Sequence, residues 1–273
     1  MHRKVSRAIH RLDTLEHTRR DALVAELVSL DDAVFRDPTP AHVVDGYRGV
    51  GVDECWVMVV RKGEQLIGYN VIRIWFEEGP TGRYALWRSR AAVLRDHRRG
   101  AITGQFAILM FFLFRARHPR TPAYAVNTLI HPSSFRLFAT RVSCLYPFPQ
   151  TELSAEHRAI YDRAFHLLGL VRVDGAPDFV VADPTVVDSE PAEDAFWARS
   201  TAPCIRFFME HNPDYRQGRA IVAFNPMTVR TVVGMGLRHA LRRLEKAARR
   251  WLGRPELTRG PVARPSLVDR VQT

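Results

Sequence analysis

Short apolar runs separated by turn residues dominate the first half of the chain, and their spacing predicts a β-sheet. Residues 55–61 and 65–76 are rich in β-branched and aromatic side chains and flank the turn Lys62-Gly63-Glu64, which is typical of a hairpin. A second turn at residues 77–82 leads into a third apolar run at residues 84–94. The pattern therefore predicts a three-stranded antiparallel meander.

A longer apolar stretch follows at residues 101–114, before a basic segment and Pro119. It is too long for a typical strand and predicts a buried helix, whose basic last turn complements the negative end of the helix dipole. Residues 123–130 predict another strand. Because the helix is then a crossover connection, this strand is expected to run parallel to the strand at residues 84–94.

Helical periodicity occurs mainly outside this central region. The predicted helices cover residues 7–30, 41–47, 132–141, 155–168 and 236–251.

The C-terminal half carries further predicted elements. Residues 204–210 and 218–224 predict a closing hairpin, and the acidic residues 188–194 predict a surface loop. We expect one domain over residues 1–235, with an enlarged C-terminal half. A basic amphipathic helix and a flexible tail are expected over residues 236–273.

The turn Asp96-His97-Arg98-Arg99-Gly100 lies between a predicted strand and the start of a predicted helix. The first backbone N–H groups of a helix lack internal partners, so this arrangement is typical of a phosphate site. Gly100 allows an anion to approach closely, and the basic side chains add positive charge. The alternative interpretation is a basic surface turn between two core elements.

The order of strand, basic glycine-containing turn and helix resembles that of the GNAT superfamily of acyl-CoA-dependent N-acyltransferases. The segment His97-Arg98-Arg99-Gly100-Ala101-Ile102 matches the central glycine of the family's Arg/Gln-x-x-Gly-x-Gly/Ala loop, with His97 and Ile102 at its outer positions. The resemblance covers residues 55–145. It implies an α+β fold of three layers, in which a mixed, mostly antiparallel central sheet has helices on both faces.

The resemblance also implies a binding site for acetyl-CoA or a longer acyl-CoA. The pantetheine arm is expected between two splayed strands, residues 84–94 and 123–130, and the phosphates at the basic turn. Asn127 lies in the middle of a strand, where its buried amide needs partners that either the pantetheine amides or a neighbouring strand supplies. The expected cofactor-binding residues are Ala92, Val93, Leu94, His97, Arg98, Arg99, Gly100, Ala101, Ile102, Thr103, Gly104 and Asn127.

Acyl transfer to an amine requires a base for the amine and an acid for the leaving thiolate. Many members of the family carry a carboxylate on or near the fourth strand and a Tyr after the fifth. Here the fourth strand carries Arg88, Ser89 and Arg90, and Phe138 occupies the Tyr position.

Other residues of the chain are candidates for these two roles. The substitute bases are Glu77, Glu78, His97 and His131, and the substitute acids are Tyr124 and Tyr146. Each candidate also has a structural interpretation, such as a solvated turn for the two glutamates, a helix entry for His131 and core packing for Tyr124.

The net charge of +11 raises the question of an anionic partner. Residues 236–273 contain ten Lys and Arg against three Asp and Glu, so an excess of +7 lies at the C-terminal end. No motif that combines basic and aromatic residues accompanies this charge, so nucleic acid is not an expected partner.

Cysteine usage and apolar run length indicate the compartment. Cys55, Cys144 and Cys204 are far apart and form no CxxC pair, and no His spacing indicates metal coordination, so no metal site or disulfide is expected. The longest apolar run has nine residues, against the ~20 that span a bilayer. No secretory signal is expected. The interpretation is a cytoplasmic protein.

Two functions remain open at this point. The first is an acyltransferase that moves an acyl group from acyl-CoA to an amine acceptor, which the order of strand, turn and helix favours. The alternative is a non-enzymatic GNAT-like binding module. It would associate peripherally with an anionic membrane surface or an acidic protein through residues 236–251, and the missing strand carboxylate favours it.

Overall fold

A mixed sheet forms the centre of the protein, and helices cover both of its faces. The computed structural model describes residues 5–79, 81–100, 104–187, 191–238 and 240, and for residues 98–100, 104 and 191 it describes the backbone only. The strands are β1 (Val5–Arg11), β2 (Glu54–Lys62), β3 (Gln65–Gly79), β4 (Gly82–Val93), β5 (Ala123–Leu129), β6 (Val171–Arg172), β7 (Val180–Ala182) and β8 (Arg219–Pro226). The helices are α1 (His17–Asp32), α2 (Ala41–Arg48), α3 (Gly104–Arg117), α4 (Pro132–Ala139), α5 (Ala155–Leu167), α6 (Pro191–Ala198), α7 (Pro203–His211) and α8, which covers residues 229–238.

The sheet has eight strands in the order β1-β2-β3-β4-β5-β8-β7-β6. Among the described strand pairs, β4 and β5 are parallel and the others are antiparallel. The α+β class, the mostly antiparallel sheet and the parallel crossover through α3 are therefore confirmed.

Helices pack on both sides of this sheet because successive strand residues point to opposite faces. We call the side covered by α1, α2 and α5 the front face, where Leu27 and Tyr161 pack on the strands. The other side is the back face, which α3, α4, α6, α7 and α8 cover.

Helix α3 is buried on one side only, although its sequence is almost uniformly apolar. Phe106, Met110, Phe111 and Phe114 are fully buried against the back face, and burying each such side chain stabilises the fold by ~1.5–3 kcal/mol. Leu109, Phe112 and Leu113 on its other side are exposed. The predicted helix is thus buried along one side.

The predicted helix at residues 7–30 is wrong over its first part. Val5–Arg11 is the edge strand β1, which pairs antiparallel with β2 from Val5↔Lys62 to Arg11↔Trp56. Helix α1 begins only at His17, where the side chain of Glu16 accepts hydrogen bonds from the N–H groups of Thr18 and Arg19. Strand β1 is largely exposed, so no burial pattern marked it in the sequence, and its pairing with β2 decides its conformation.

The predicted closing hairpin is also wrong at its first strand. Residues 204–210 lie in α7, where Pro203 occupies the first turn and Cys204, Ile205 and Phe208 face the core. Strand β8 pairs instead with β5 on one side and β7 on the other. The predicted acidic loop at residues 188–194 is corrected in part, because α6 begins at Pro191.

The last described helix begins before the predicted residue 236. In α8, Val232 is 3% exposed within the back-face core, and Met235 packs beside it. Arg238 Nε donates a hydrogen bond of 2.9 Å to the carbonyl oxygen of Arg141. Residues 241–273, which include most of the predicted basic helix and the tail, lie outside the described residues. In the part of the chain that is described, no helix has the length and apolar character needed to cross a membrane.

Candidate functional site

Strands β4 and β5 separate in the middle of the sheet. They pair in parallel register from Ala85↔Ala123 to Trp87↔Ala125, while β4 continues to Val93 and β5 to Leu129. Beyond Trp87 the described residues show no backbone pairing between the two strands. The divergence opens a wedge in the sheet, which we call the splay.

Asn127 bridges the start of the splay. Its side-chain oxygen Oδ1 accepts hydrogen bonds from the backbone N–H of Ser89 at 2.8 Å and from the Ser89 hydroxyl at 2.9 Å. The sequence predicts that the buried amide of Asn127 needs partners. Ser89 of the neighbouring strand β4 supplies them for the amide oxygen. Among the described residues nothing accepts a hydrogen bond from Asn127 Nδ2, so this buried amide keeps a donor for another group.

The edge of β4 continues past this bridge along the predicted pantetheine segment. Since the N–H of Ser89 points toward β5, the two-residue period of a strand directs the backbone groups of Ala91 the same way. Ala92 is buried on the front face and Val93 is opposite Gly68 of β3. The N–H of Leu94 donates to the carbonyl of Ile67 at 3.0 Å, so Leu94 is held by β3.

A short 3-10 turn, Arg95–Gly100, connects β4 toward α3. The N–H of His97 donates to the carbonyl oxygen of Leu94 at 2.8 Å, and α3 begins at Gly104. Only the backbone of Arg98, Arg99 and Gly100 is described, and Ala101, Ile102 and Thr103 lie outside the described residues. The described elements keep the predicted order of strand, basic turn and helix.

The two glutamates predicted as bases lie away from the splay. Glu77 is opposite Tyr84 in the β3–β4 register. Tyr84 precedes Ser89 by five residues on β4, so Glu77 lies about 17 Å from Ser89 along the strand direction. Its carboxylate forms an ion pair of 2.7 Å with Arg163 of α5, and Glu78 is exposed. These contacts favour a structural role for Glu77.

His131 is also engaged in local structure. It is buried at the N-cap of α4, where Nδ1 accepts a hydrogen bond of 3.2 Å from the backbone N–H of Ser133. Its ring lies edge-on to Trp197 and Tyr215. This is the helix-entry arrangement that the sequence allowed as an alternative.

The two tyrosines predicted as acids pack in the front-face core. Tyr124 stacks on Phe224, and burial raises the pKa of its hydroxyl. The hydroxyl of Tyr146 donates to Asp178 Oδ1 at 3.1 Å and accepts from Arg158 at 3.4 Å. The structure does not bring Glu77, Glu78, His131, Tyr124 and Tyr146 together at the splay. Their roles, like that of His97, remain predictions.

A buried polar network on the front face was not identified from the sequence. Asp31, 0% exposed at the end of α1, accepts hydrogen bonds from Tyr69 and from Tyr47 at 2.6 Å. Arg90 Nε lies 2.9 Å from Asp31 Oδ2 and 2.8 Å from the Tyr47 hydroxyl. Burial raises the pKa of both Tyr47 and Tyr69, so both stay neutral hydrogen-bond donors.

Two further arginines lie beside this network on the same face. Arg73 of β3 and Arg88 of β4 are directly opposite each other in the strand register. Arg88 Nη2 reaches across the splay to the Thr128 hydroxyl at 3.3 Å. Burial lowers the pKa of Arg88 to about 10 and also lowers the pKa of Arg73. We call Arg73, Arg88 and Arg90 the arginine cluster.

The segment after β7 and helix α2 border the arginine cluster. Thr185 Oγ1 accepts a hydrogen bond of 3.3 Å from Arg90 Nη1, and the buried Asp183 lies close enough to influence Arg88. The residue His42 of α2 is exposed overall, while its imidazole is partly desolvated. This desolvation, followed by the positive charge of Arg88, lowers the pKa of the imidazole. Arginines at alternate positions of one predicted strand were the sequence signal, but their partners on α1, α2 and β3 are distant in the chain.

The splay, the crossover helix and the strand order together decide the fold family that this architecture resembles. An antiparallel meander β1–β4 leads through a basic turn and α3 to a parallel β5, and β4 and β5 part where the resemblance places pantetheine. This is a GNAT-like fold. Strands β6–β8 and helices α6 and α7 follow β5 in the C-terminal half of the chain.

Comparison with known proteins places N-acetyltransferases among the structural neighbours of this GNAT-like fold. The GNAT family N-acetyltransferase YhbS from Escherichia coli, solved with CoA, aligns at a TM-score of 0.35 and 14% identity over 50% of this chain and 68% of that protein. Escherichia coli ElaA aligns at 0.32 and 16% over 56% of this chain and 95% of that protein.

A third neighbour is a probable N-acyltransferase of unknown function from Enterococcus faecalis V583, with a TM-score of 0.36 and 10% identity. The alignment covers 51% of this chain and only 33% of that protein. No family model and no curated protein matches the sequence. With TM-scores this low, the GNAT-like fold is assigned from the topology above and not from these alignments.

The last candidate groups are metal ligands and cysteine thiols. Within the described ranges, no group of three or more His, Cys, Asp or Glu side chains is placed to hold a metal ion. Cys55, Cys144 and Cys204 are free thiols, and burial raises the pKa of Cys55 to about 12, so this thiol is not a nucleophile near neutral pH.

Proposed function

We propose that this protein is an acyltransferase that moves an acyl group from acyl-CoA to an amine. The observation that carries the proposal is the splay between β4 and β5, with the donor Asn127 Nδ2 and the backbone of Ala91 facing it. An open strand edge inside a sheet leaves N–H and C=O groups that an extended amide chain can pair with. The pantetheine arm of CoA is such a chain.

The pantetheine arm would enter the splay as an extra strand segment. Its two amides would pair with the backbone of Ala91, and one of its carbonyls would accept from Asn127 Nδ2. Because Asn127 Oδ1 is already held by Ser89, the donor is oriented before the ligand arrives. Such preorganisation reduces the entropy lost on binding.

The phosphates would bind at the start of α3. The helix is 14 residues long, so its first turn presents N–H groups and a positive dipole end. The basic residues His97, Arg98 and Arg99 of the preceding turn would add positive charge. The acyl group would then lie deeper in the splay, near Ser89.

The reaction is nucleophilic attack of the amine nitrogen on the thioester carbonyl. A C–N bond forms, the C–S bond breaks, the electron pair leaves with the CoA sulfur, and the amine gives up a proton. We propose that His42 accepts this proton, because its imidazole borders the arginine cluster and its pKa lies below the usual value. The thiolate leaves into solvent or takes a proton from water.

The test is binding of acetyl-CoA followed by turnover. A ligand present at 100 times its Kd is expected to raise the free energy of unfolding by about 2.7 kcal/mol. Incubation with a panel of amines should then release CoA thiol only when an amine acceptor is present, with the acylated amine detected by mass. If no acyl-CoA stabilises the protein and calorimetry shows no binding, the proposed function is wrong.

Asn127 supplies a matched pair of variants for this test. Asn127→Asp keeps an oxygen that accepts from Ser89 but removes the donor, and loss of one hydrogen bond should weaken CoA binding about 5- to 10-fold. Ser89→Ala removes only the hydroxyl and leaves the backbone N–H in place, so CoA affinity should change less than about 2-fold. Equal affinity in Asn127→Asp and the wild type would exclude pantetheine from this position.

We do not propose the non-enzymatic alternative. It depends on residues 236–251, of which 239 and 241–251 lie outside the described residues. The described residues 236–238 continue α8, which packs on the back face through Val232.

A further inference from the structure

Arg73 and Arg88 form a like-charge pair where a sheet ordinarily avoids one. They are direct cross-strand neighbours on β3 and β4, and both point to the front face. Like charges directly opposite each other destabilise an antiparallel pair, and removal from water adds to the free-energy cost. The lowered pKa of Arg88 reflects this burial.

Neither side chain has the compensation that Arg90 has. Arg90 is held by Asp31 and by the hydroxyls of Tyr47 and Thr185. In contrast, no described Asp or Glu forms an ion pair with Arg73 or Arg88. Arg88 donates to the neutral hydroxyl of Thr128, and Arg73 lies over the ring of Trp75 at 5.6 Å. Their charges are thus held in place by neutral groups.

The charged groups around the pair do not balance it. The arginine cluster contributes three positive charges, and the buried carboxylates beside it are Asp31 and Asp183. His42, which also faces the cluster, adds no negative charge. Buried charges in proteins are ordinarily paired with opposite charges, so the cluster keeps an excess of positive charge among the described residues.

The pair is accessible from solvent. Arg73, Arg88 and Arg90 all retain partial exposure, so a ligand can reach their donors. Gly46 of α2 leaves room for the Arg73 guanidinium, because a Cβ at this position would overlap Nη1. Each planar guanidinium presents a fork of donors that matches a carboxylate or a phosphate. The two side chains come from directly opposed positions of β3 and β4.

The position of the pair connects it to the splay. Arg88 spans the splay on the front face through Thr128, and the next residue, Ser89, is held by Asn127. Helix α3 packs on the back face. A molecule held by Arg73 and Arg88 would therefore lie beside the splay on the side opposite α3.

We propose that Arg73 and Arg88 bind an oxyanion, a carboxylate or a phosphate, on the acceptor amine. The inference rests on the proposed function for its claim about the acceptor. The oxyanion would neutralise the pair, and its attached amine would be held next to the thioester. The acceptor class is thus an anionic amine, such as an amino acid or a phosphorylated amine.

Direct binding tests the site without turnover. Inorganic phosphate and succinate are titrated by calorimetry into the protein saturated with CoA, so that the CoA phosphate site is already filled. We expect at least one of the two to bind the wild type. Arg88→Met and Arg73→Met should abolish this binding, and Arg88→Lys should restore part of it. Arg83→Met, an exposed position on the same strand, should bind as the wild type does.

A second variant covers the case in which Arg88→Met fails to fold. Gly46→Ala keeps every charge but displaces the Arg73 guanidinium, and it should weaken oxyanion binding with CoA binding unchanged. If phosphate and succinate fail to bind a wild type that binds CoA, the inference is wrong and the proposed function stands. If the oxyanion binds but CoA does not, the acceptor assignment falls together with the proposed function.

Turnover distinguishes the two oxyanion sources. O-phosphoethanolamine is compared with ethanolamine, and 4-aminobutyrate with butylamine, by release of CoA thiol from acetyl-CoA. Hydrogen bonds to a charged group predict a kcat/KM about 10- to 100-fold higher for the anionic member of the recognised pair. Arg88→Met should remove this preference. An equal or lower kcat/KM for both anionic amines would overturn the inference.

Discussion

Arg88 and Arg90 lie two positions apart on β4 and face the same way, yet their electrostatic situations are opposite. Arg88 is a partly exposed charge that forms no ion pair with a carboxylate of the described residues, and desolvation lowers its pKa to about 10. We expect Arg88→Met, which keeps the volume and removes the charge, to raise the free energy of unfolding of the ligand-free protein by about 1 kcal/mol. Urea denaturation measures this change in the free energy of unfolding. A clear loss of stability would show that Arg88 stabilises the fold.

Arg90 compensates the fully buried Asp31, so its removal should have the opposite effect. Arg90→Met leaves the Asp31 carboxylate buried beside two tyrosine hydroxyls, and breaking such a pair costs about 3–5 kcal/mol. The double variant Arg90→Met with Asp31→Asn is the control, because it removes both charges and should recover part of this loss. A single variant that unfolds at the same urea concentration as the wild type would contradict this account.

His42 predicts how the reaction depends on pH. Burial, followed by the positive charge of Arg88, lowers the pKa of His42, so the imidazole gains its proton only below the usual pH range and is neutral at pH 7. If His42 accepts the amine proton, kcat/KM should fall on acidification through a pKa below 6.5. His42→Gln should be slower and should lack this acidic limb in a pH profile. An unchanged acidic limb in His42→Gln would assign the base elsewhere.

Helix α8 packs on the back-face core through one side. Val232 is 3% exposed in the back-face core, and its neighbour Val233 is 42% exposed. Val232→Asp buries an unpaired carboxylate and should destabilise the protein by about 3 kcal/mol or more, whereas Val233→Asp should change the stability by less than about 0.5 kcal/mol. Thermal unfolding of the two variants provides the comparison. Equal unfolding temperatures would mean that α8 does not belong to the core.

Binding of CoA should slow amide hydrogen exchange around the splay and the start of α3, and not across the whole molecule. The splay and the start of α3 hold the proposed CoA site, whereas the centres of β2 and β3 are already paired on both sides. CoA is therefore expected to slow hydrogen exchange at Ala91 and in the first turn of α3, with little change in β2. Mass spectrometry of exchanged peptides maps the effect. Protection confined to the α1–α2 surface would place CoA elsewhere.

The central elements were predictable because their signals are local. The hairpin of β2 and β3, the strand β4 and the crossover helix α3 each follow from a run of apolar residues and its turn chemistry. A helical crossover between β4 and β5 also predicts that the two strands are parallel. These features carried the resemblance to the GNAT superfamily, and the topology confirms it at the level of the fold.

The local signals failed where neighbours in space decide the conformation. Strand β1 is an exposed edge whose pairing with β2 has no counterpart in its own hydrophobic pattern, and α7 contains adjacent aromatic residues that also suit a strand. In both cases short-range propensity was overridden by packing. The same holds for His131 and Glu77, whose local partners became visible only in the folded chain.

The sequence by itself determined the meander, the crossover and the basic turn, because each of these depends on residues that are close together along the chain. Only the tertiary structure brought Asp31, Arg73 and Arg88 to one face, since they come from α1, β3 and β4 and share no local motif. It also distinguished Arg90, which forms an ion pair with Asp31, from Arg88, which forms none with the described carboxylates. Charge balance is a property of side chains that meet in space, so a pattern read along the chain does not contain it.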